Sequence, residues 1–349
     1  MQMTNRRQFL KAAAAGAAAA MSRPAAGATG IAQTVLGPID ASRLGFALAH
    51  EHVADAPDVL NRWPKGGRAE FIAAAVDRLK ALRAAGVSTI ADLTTYDVGR
   101  DIGFLEDVSR QSGLTMIAAT GQRFFPPRAS HISMPARTLA GLADFFTKEI
   151  QQGIDGAAIK AGVIKIGIIG KSATALEETG LRAAARAAKA SGAPIRTHTA
   201  AAQRAGESHA VILEEEGIDP ARVSFDHSDD SGDMDYFLGL VRRGYFLGMD
   251  HVHRGRSPQF KPSFERRAEC IKLLCEAGFA GRIFLSQDSE FGGALLPEKI
   301  REWRETIDPP EGLLFITRKL IPHLRHIGVS GRDIHTMTVE NPRRFFTLA

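Results

Sequence analysis

Beyond about residue 30, the hydrophobic positions switch repeatedly between two periods. Short runs rich in apolar and β-branched residues occur at Phe46–His52, Thr89–Tyr96, Met116–Gly121, Val163–Ile169, Ile195–Thr199, Val223–His227, Tyr245–His251 and Ile283–Asp288. Runs of this length and composition predict strands. Between them the apolar residues fall at helical spacing. Ile72, Val76 and Leu79 share one side of a segment whose other side carries Asp77, Arg78 and Lys80. Similar segments cover 136–153, 176–190, 208–216, 234–243, 264–277 and 313–327. Several are followed by a glycine (Gly86, Gly192, Gly217, Gly244, Gly278, Gly328), the residue favoured just past a helix end. Strands alternating with helices in this way predict an α/β fold, specifically a (β/α)8 TIM barrel with its site at the C-terminal ends of the strands. A doubly wound open sheet is the competing topology. It often carries a Gly-rich phosphate loop after its first strand, and none is present.

The first thirty residues obey a different pattern. Arg6-Arg7 is followed by Phe9-Leu10-Lys11, an alanine-rich run to Met21, and the small residues Ala26-Gly27-Ala28. A charged, then apolar, then small-residue order is that of an export signal, and the paired arginines resemble the twin-arginine signal. The domain reading is therefore a signal peptide over 1–28 and a single barrel over 29–349. The expected address is the periplasm, with the signal cleaved and the protein either free or peripherally held at the membrane. The expected partner in transit is the twin-arginine export machinery.

Composition narrows the picture. Hydrophobic residues make up 44% and charged residues 24%, a globular balance. Two cysteines exclude a disulfide-dense scaffold and an all-cysteine zinc site. Cys270 and Cys275, five apart on a predicted helix, are poorly placed for a mutual disulfide and read as buried thiols. No apolar run reaches the ~18 residues of a membrane-spanning helix. The formal charge of +5 would suit an acidic partner. However, Arg6, Arg7, Lys11 and Arg23 fall in residues 1–28 with no acid, so cleavage would leave +1. With no basic stripe or recognisable motif, no nucleic-acid partner is expected.

The chemistry gathers at strand ends. His50 and His52 close the first strand, where residues two apart share a face, so Phe46, Leu48, His50 and His52 are expected to line the barrel interior. Lys165 sits in an otherwise apolar strand, a costly place for an ammonium. His198, His227 and Asp288 close the fifth, sixth and eighth strands, and His251 the seventh. Taken singly, each is better read as a satisfied core polar group. Jointly they converge on the face where barrel sites assemble, and imidazole with carboxylate suits zinc and similar divalent ions. His131, His209, His253, His323, His326 and His335 carry no expected role. Gly-x-Ser-x-Gly is absent, so no serine nucleophile is indicated.

The motifs Gly45-Phe-Ala-Leu-Ala-His50-Glu-His52, Ala161-Gly-Val-Ile-Lys165, Thr197-His198-Thr199-Ala200, His227-Ser-Asp-Asp230 and Met337-Thr-Val-Glu-Asn-Pro-Arg-Arg-Phe-Phe resemble, in this order, those of the phosphotriesterase family within the amidohydrolase superfamily. The likeness runs from about residue 34 to the C-terminus. It implies two divalent ions, zinc by default with cobalt, manganese or iron as alternatives. His50, His52 and Asp288 would hold one ion, His198 and His227 the other. Lys165, converted by carbon dioxide to a carbamate (N6-carboxylysine), would bridge both. That modification turns one positive charge negative and would take the mature chain from +1 to −1.

The resemblance further implies hydrolysis of phosphotriester (organophosphate) bonds by hydroxide shared between the ions, which can lower the pKa of water from roughly 15.7 toward ~7. Asp288 would take the proton and pass it through His251 to Asp230. A lactonase or carboxylesterase with only promiscuous phosphotriesterase activity would use the same metals, and a non-catalytic periplasmic binding protein is a third reading. The lactonase branch usually places an arginine near the His251–Arg254 stretch, so His251 leans toward the phosphotriesterase side. Arg123, Phe124 and Phe291 are candidate substrate contacts for a small-molecule ester. Arg123, Arg254, Arg256 and Lys261 could make the mouth basic and favour an anionic substrate. A homodimer is also implied.

Overall fold

The computed structural model describes residues 30–53, 67–123, 132–257, 259–289 and 311–348. The expected signal, residues 1–28, lies outside these, as do Phe124, Phe291 and His131. Two short strands open the described chain: β1 (Ile31–Thr34) and β2 (Gly37–Asp40) pair antiparallel as a hairpin that the sequence pattern did not announce. The eight expected strands follow. They are β3 (Ala47–Glu51), β4 (Thr89–Asp92), β5 (Thr115–Gln122), β6 (Val163–Gly167), β7 (Ile195–His198), β8 (Val223–Asp226), β9 (Phe246–Met249) and β10 (Ile283–Leu285). All neighbours pair in parallel, in chain order from β3 to β10. Between β10 and β3 the backbone is stitched by Asp288 N donating to His50 O (3.1 Å) and His52 N donating to Ser289 O (3.0 Å). The result is a nearly closed eight-stranded parallel barrel of the TIM type.

Alternation along the strands divides the core in two. Ala49, Ala91, Ile117, Ala119, Val163, Phe246 and Phe284 fill the lumen and are plugged from below by Phe345 and Phe346. Ile90, Met116, Ile164, Ile166, Ile195, Phe225 and Leu247 point outward into the helical layer. Each strand thus spends one face on the lumen and one on helices, which is why its sequence reads as a continuous apolar run. The six glycines expected past helix ends all adopt positive φ, between 70° and 100°.

Two expectations need correction. First, an additional helix, Ile102–Ser112, fills the layer after β4. Asp101 caps it by accepting from Phe104 N, and Phe104, Leu105 and Val108 are its buried side. Its apolar residues fall at helical spacing, so the pattern was present in the sequence and went unread. Second, Phe46 and Leu48 do not share a face with the histidines. Leu48 packs with the outer layer, as does Phe46, while Ala49 enters the lumen. The β3–β4 register shifts between Leu48 and Glu51. This irregularity resets the alternation, so that the side chains of both His50 and His52 reach the site.

Candidate metal centre

The inward alternation ends, on strand after strand, in a polar residue. β6 delivers Lys165, β7 delivers Arg196 and His198, β8 delivers Asp226, and the turns after β8, β9 and β10 deliver His227, Asp250, His251 and Asp288. His227 and Asp288 sit just beyond their ladders at φ 58° and 46°. A non-glycine residue in this left-handed region is costly and persists only where its surroundings hold it. Here His227 N donates to Asp250 Oδ1 (2.8 Å) and Asp288 N donates to His50 O (3.1 Å).

Nε2 of His50 and Nε2 of His52 both face Asp288 Oδ1, at 3.3 and 3.2 Å. The opposite nitrogens are already occupied: Nδ1 of His50 pairs with Asp250 Oδ2 (2.7 Å), and Nδ1 of His52 with Thr94 Oγ1 (3.0 Å). Asp250 Oδ1 also takes Nδ1 of His227 (2.9 Å). One carboxylate therefore orients two imidazoles, the arrangement that fixes tautomer and ring direction in metal-binding histidines. His198 stands half-buried with its ring edge-on to His227, centroids 4.3 Å apart. It joins no cluster of three ligand atoms within 4.8 Å among the described residues, whereas His50, His52 and Asp288 form one and His227, His251 and Asp288 another. Lys165 Nζ lies 3.1 Å from His50 Nε2 and donates to Asp226 Oδ2 at 2.9 Å. These donors fit divalent ions. Burial, with Lys165 nearby, holds His50 and His198 well below the usual imidazole pKa, and burial does the same for His227, so all three present neutral lone pairs.

Asp288 Oδ2 faces His251 Nε2 at 2.9 Å, and His251 Nδ1 faces Asp230 Oδ2 at 2.8 Å. The three residues of the expected relay are thus in unbroken contact. Burial and Arg254 oppose protonation of His251, but Asp230 and Asp288 outweigh them and raise it to about 9. Arg267, fully buried, braces the far end by donating Nη1 to Asp229 Oδ2 (3.0 Å) and Asp230 Oδ1 (2.8 Å). Glu51 accepts from Ser286 Oγ, Gln287 N and Ser289 N, tying the Asp288 turn to β3.

Of the four cations expected at the mouth, Arg254 reaches the centre, donating Nη2 to Asp288 Oδ2 at 3.1 Å. Arg256 is committed to Glu311 (2.7 Å), and Lys261 is exposed. Arg123 is half-buried and its charge acts on His198. Burial raises the thiols of Cys270 and Cys275, both free, to about 12. Asp250, Asp226, Arg196, Thr94, Glu51 and Arg267 were missed in the sequence. Counting inward positions by twos would have found three of them: Asp250 shares parity with Phe246, Asp226 with Ser224, and Arg196 with His198.

Comparison with known proteins agrees with this geometry. The family model described as "Phosphotriesterase family" matches residues 30–346, and that of the "TAT (twin-arginine translocation) pathway signal sequence" matches residues 3–21. A "Phosphotriesterase homology protein" of Mycobacterium tuberculosis is 36% identical over 321 residues, covering 90% of this chain and 96% of that protein. An "Aryldialkylphosphatase" of Saccharolobus solfataricus is 32% identical, covering 88% and 97%. A solved mutant of a PTE-like lactonase from Deinococcus radiodurans superposes with a TM-score of 0.81 at 31% identity, covering 90% of this chain and 99% of that one.

Proposed function

The chain belongs to the phosphotriesterase family, and from that premise we propose that it hydrolyses phosphotriester bonds with two divalent ions, zinc by default, after twin-arginine export to the periplasm. The observation that carries this reading is the meeting of His50 Nε2 and His52 Nε2 at one oxygen of Asp288, with His251 on the other. His50, His52 and Asp288 would hold one ion, and His198 and His227 the second. Lys165, as its carbamate, would contribute an oxygen to each. Lys165 Nζ lies 3.1 Å from His50 Nε2, and there an ammonium would offer a metal no lone pair whereas a carbamate would offer two oxygens. The bound ions would supply acidification of water and polarisation of the phosphoryl or carbonyl oxygen.

The rest belongs to the chain's own residues. Asp288 would take the proton at Oδ2 and pass it to His251 Nε2. The charge of nearby ions would oppose the protonation of His251 that Asp230 and Asp288 favour in the metal-free chain, leaving Nε2 open to receive it, and Asp230 would stabilise the resulting imidazolium at Nδ1. Barrel walls and plug exclude water from below. A binding protein without catalysis would have no use for this complete relay. The second reading is a lactonase, supported by the neighbour described as a PTE-like lactonase; Arg254, within reach of Asp288, would meet developing negative charge in either reaction. Measuring kcat/KM on zinc-loaded protein for aryl dialkyl phosphates against γ- and δ-lactones tests the choice. Higher values for the phosphates support the first reading; lactones preferred by about a hundredfold or more overturn it.

A further inference from the structure

Beneath the proposed ligands lies a buried ion pair that holding two metals does not require. Arg196 and Asp226 point into the lumen from β7 and β8, both fully buried. Arg196 donates Nε to Asp226 Oδ2 (3.2 Å), and its Nη2 lies 2.6 Å from Asp226 Oδ1. Neither Nη1 nor Nη2 makes a hydrogen bond among the described residues, Nη2 meeting Asp226 Oδ1 as an ion-pair contact, and the guanidinium lies over the Phe284 ring at 4.9 Å. A guanidinium against lumen phenylalanines with an unpaired nitrogen is an expensive way to fill space. Space is even reserved for its partner: a Cβ on Gly248 would come within 2.8 Å of Asp226 Oδ1.

We propose that Asp226, pinned by Arg196, is the positioning residue for the carbamate on Lys165; this rests on the carbamate of the proposed function. When the neutral amine attacks carbon dioxide, the N–C bond forms and one C–O π pair moves to oxygen. One proton leaves Nζ for solvent, and one N–H remains. Asp226 Oδ2, 2.9 Å from Nζ, is the acceptor for that remaining N–H. A carbamate is planar, so fixing its N–H fixes the plane in which its two oxygens lie. Asp226 cannot swing away, because Oδ1 is held by Arg196 and by Ser224 Oγ (3.0 Å). Carbamylation also removes the positive charge of Lys165, leaving Arg196 as the cation in contact with Asp226. This accounts for the pair as a unit: Asp226 orients the carbamate, and Arg196 keeps an anion tolerable beside one.

The test titrates ¹³C-bicarbonate into the full mature chain with zinc present. It follows the ¹³C carbamate resonance and the number of ions per chain. The Arg196→Met/Asp226→Ala double variant removes both charges together and strands neither. It is expected to fold, and to need about tenfold more bicarbonate for half-maximal carbamate and second-ion loading, the worth of one hydrogen bond to a charged group. Asp226→Asn, nearly isosteric, should move the same way by a smaller factor and serves if the double variant does not fold. Half-saturation unchanged from wild type in the folded variants overturns the positioning role while leaving the carbamate intact. If the wild-type chain shows no resonance that Lys165→Ala lacks, the carbamate reading falls, and the positioning role with it.

Discussion

Replacing Asp250 by asparagine should weaken one metal site far more than the other. The carboxylate accepts three hydrogen bonds: Oδ1 takes Nδ1 and the backbone N of His227 (2.9 and 2.8 Å), and Oδ2 takes Nδ1 of His50 (2.7 Å). An amide has one oxygen and one NH2. The oxygen will stay where it accepts two bonds, facing His227, which turns the NH2 toward His50. Nδ1 of His50 must then accept, so its proton moves to Nε2, the atom that faces Asp288 and would ligate the ion. Hydrogen bonds of this class to an ionised group are worth about 1.5–3 kcal/mol, and losing such support typically costs about 10–100-fold in metal affinity.

The loss should fall on the ion held by His50, His52 and Asp288, with the His198–His227 ion changed only a few-fold. Stability of the metal-free chain should move the other way. Burial and Asp226 push the Asp250 carboxyl well above its ordinary value, so its ionised form is penalised in the fold once pH exceeds the unfolded value. Asparagine removes that penalty, and metal-free Asp250→Asn should be at least as stable as wild type at neutral pH. Calorimetric zinc titrations of the metal-free proteins, with thermal melts beside them, read both quantities. Two unchanged affinities, or equal losses at both sites, would refute the tautomer argument.

Other expectations follow from the same geometry. Lys165→Ala should bind no second ion at ordinary zinc concentrations, and short carboxylic acids should restore part of the loading; full activity in that variant would remove the bridging role. Asp230→Asn should lower the titration midpoint of His251 in the metal-free chain from about 9 by a unit or more, because Asp230 is the first of the groups that raise it; NMR of the imidazole carbon-bound protons reads this, and an unmoved midpoint contradicts the contact. His209, buried beside Phe225 with neither nitrogen hydrogen-bonded among the described residues, is depressed by burial to about 4. The unfolded chain therefore binds its proton first, so stability is complete above about pH 6.5 and falls as pH drops toward 4, by on the order of 3 kcal/mol from this residue. Denaturant titrations across that range should show the acid loss reduced by that amount in His209→Leu, and an unchanged profile would mean that the site is hydrated.

The sequence carried the barrel and the gathering of histidines and aspartates at one mouth because both depend on strand termini. Apolar runs buried on both faces are visible without knowing their partners, and so is a histidine or aspartate that ends one. What it hid depends on register. A single irregularity in β3 decides that Ala49 and His50 both turn inward, and no residue type marks it. Asp226 and Asp250 each precede a histidine that drew the attention, and their role appears only when neighbouring strands bring Arg196, Lys165 and His50 alongside. The Ile102–Ser112 helix was legible as well, with Asp101 as its cap, Phe104, Leu105 and Val108 at helical spacing and Gly113 past its end, and was passed over. Of the cations expected at the mouth, Arg254 reaches the centre and pairs with Asp288, while Arg256 is spent on Glu311.

The central claim is hydrolysis that depends on two ions held by one set of side chains. It is tested most directly by titrating metal-free mature protein with zinc in the presence of bicarbonate, counting bound ions while following hydrolysis of an aryl dialkyl phosphate and a lactone. The account predicts that turnover of at least one ester rises with the second ion and levels off at two per chain. Full activity with one ion or none, or two bound ions with no turnover of either ester, would contradict it.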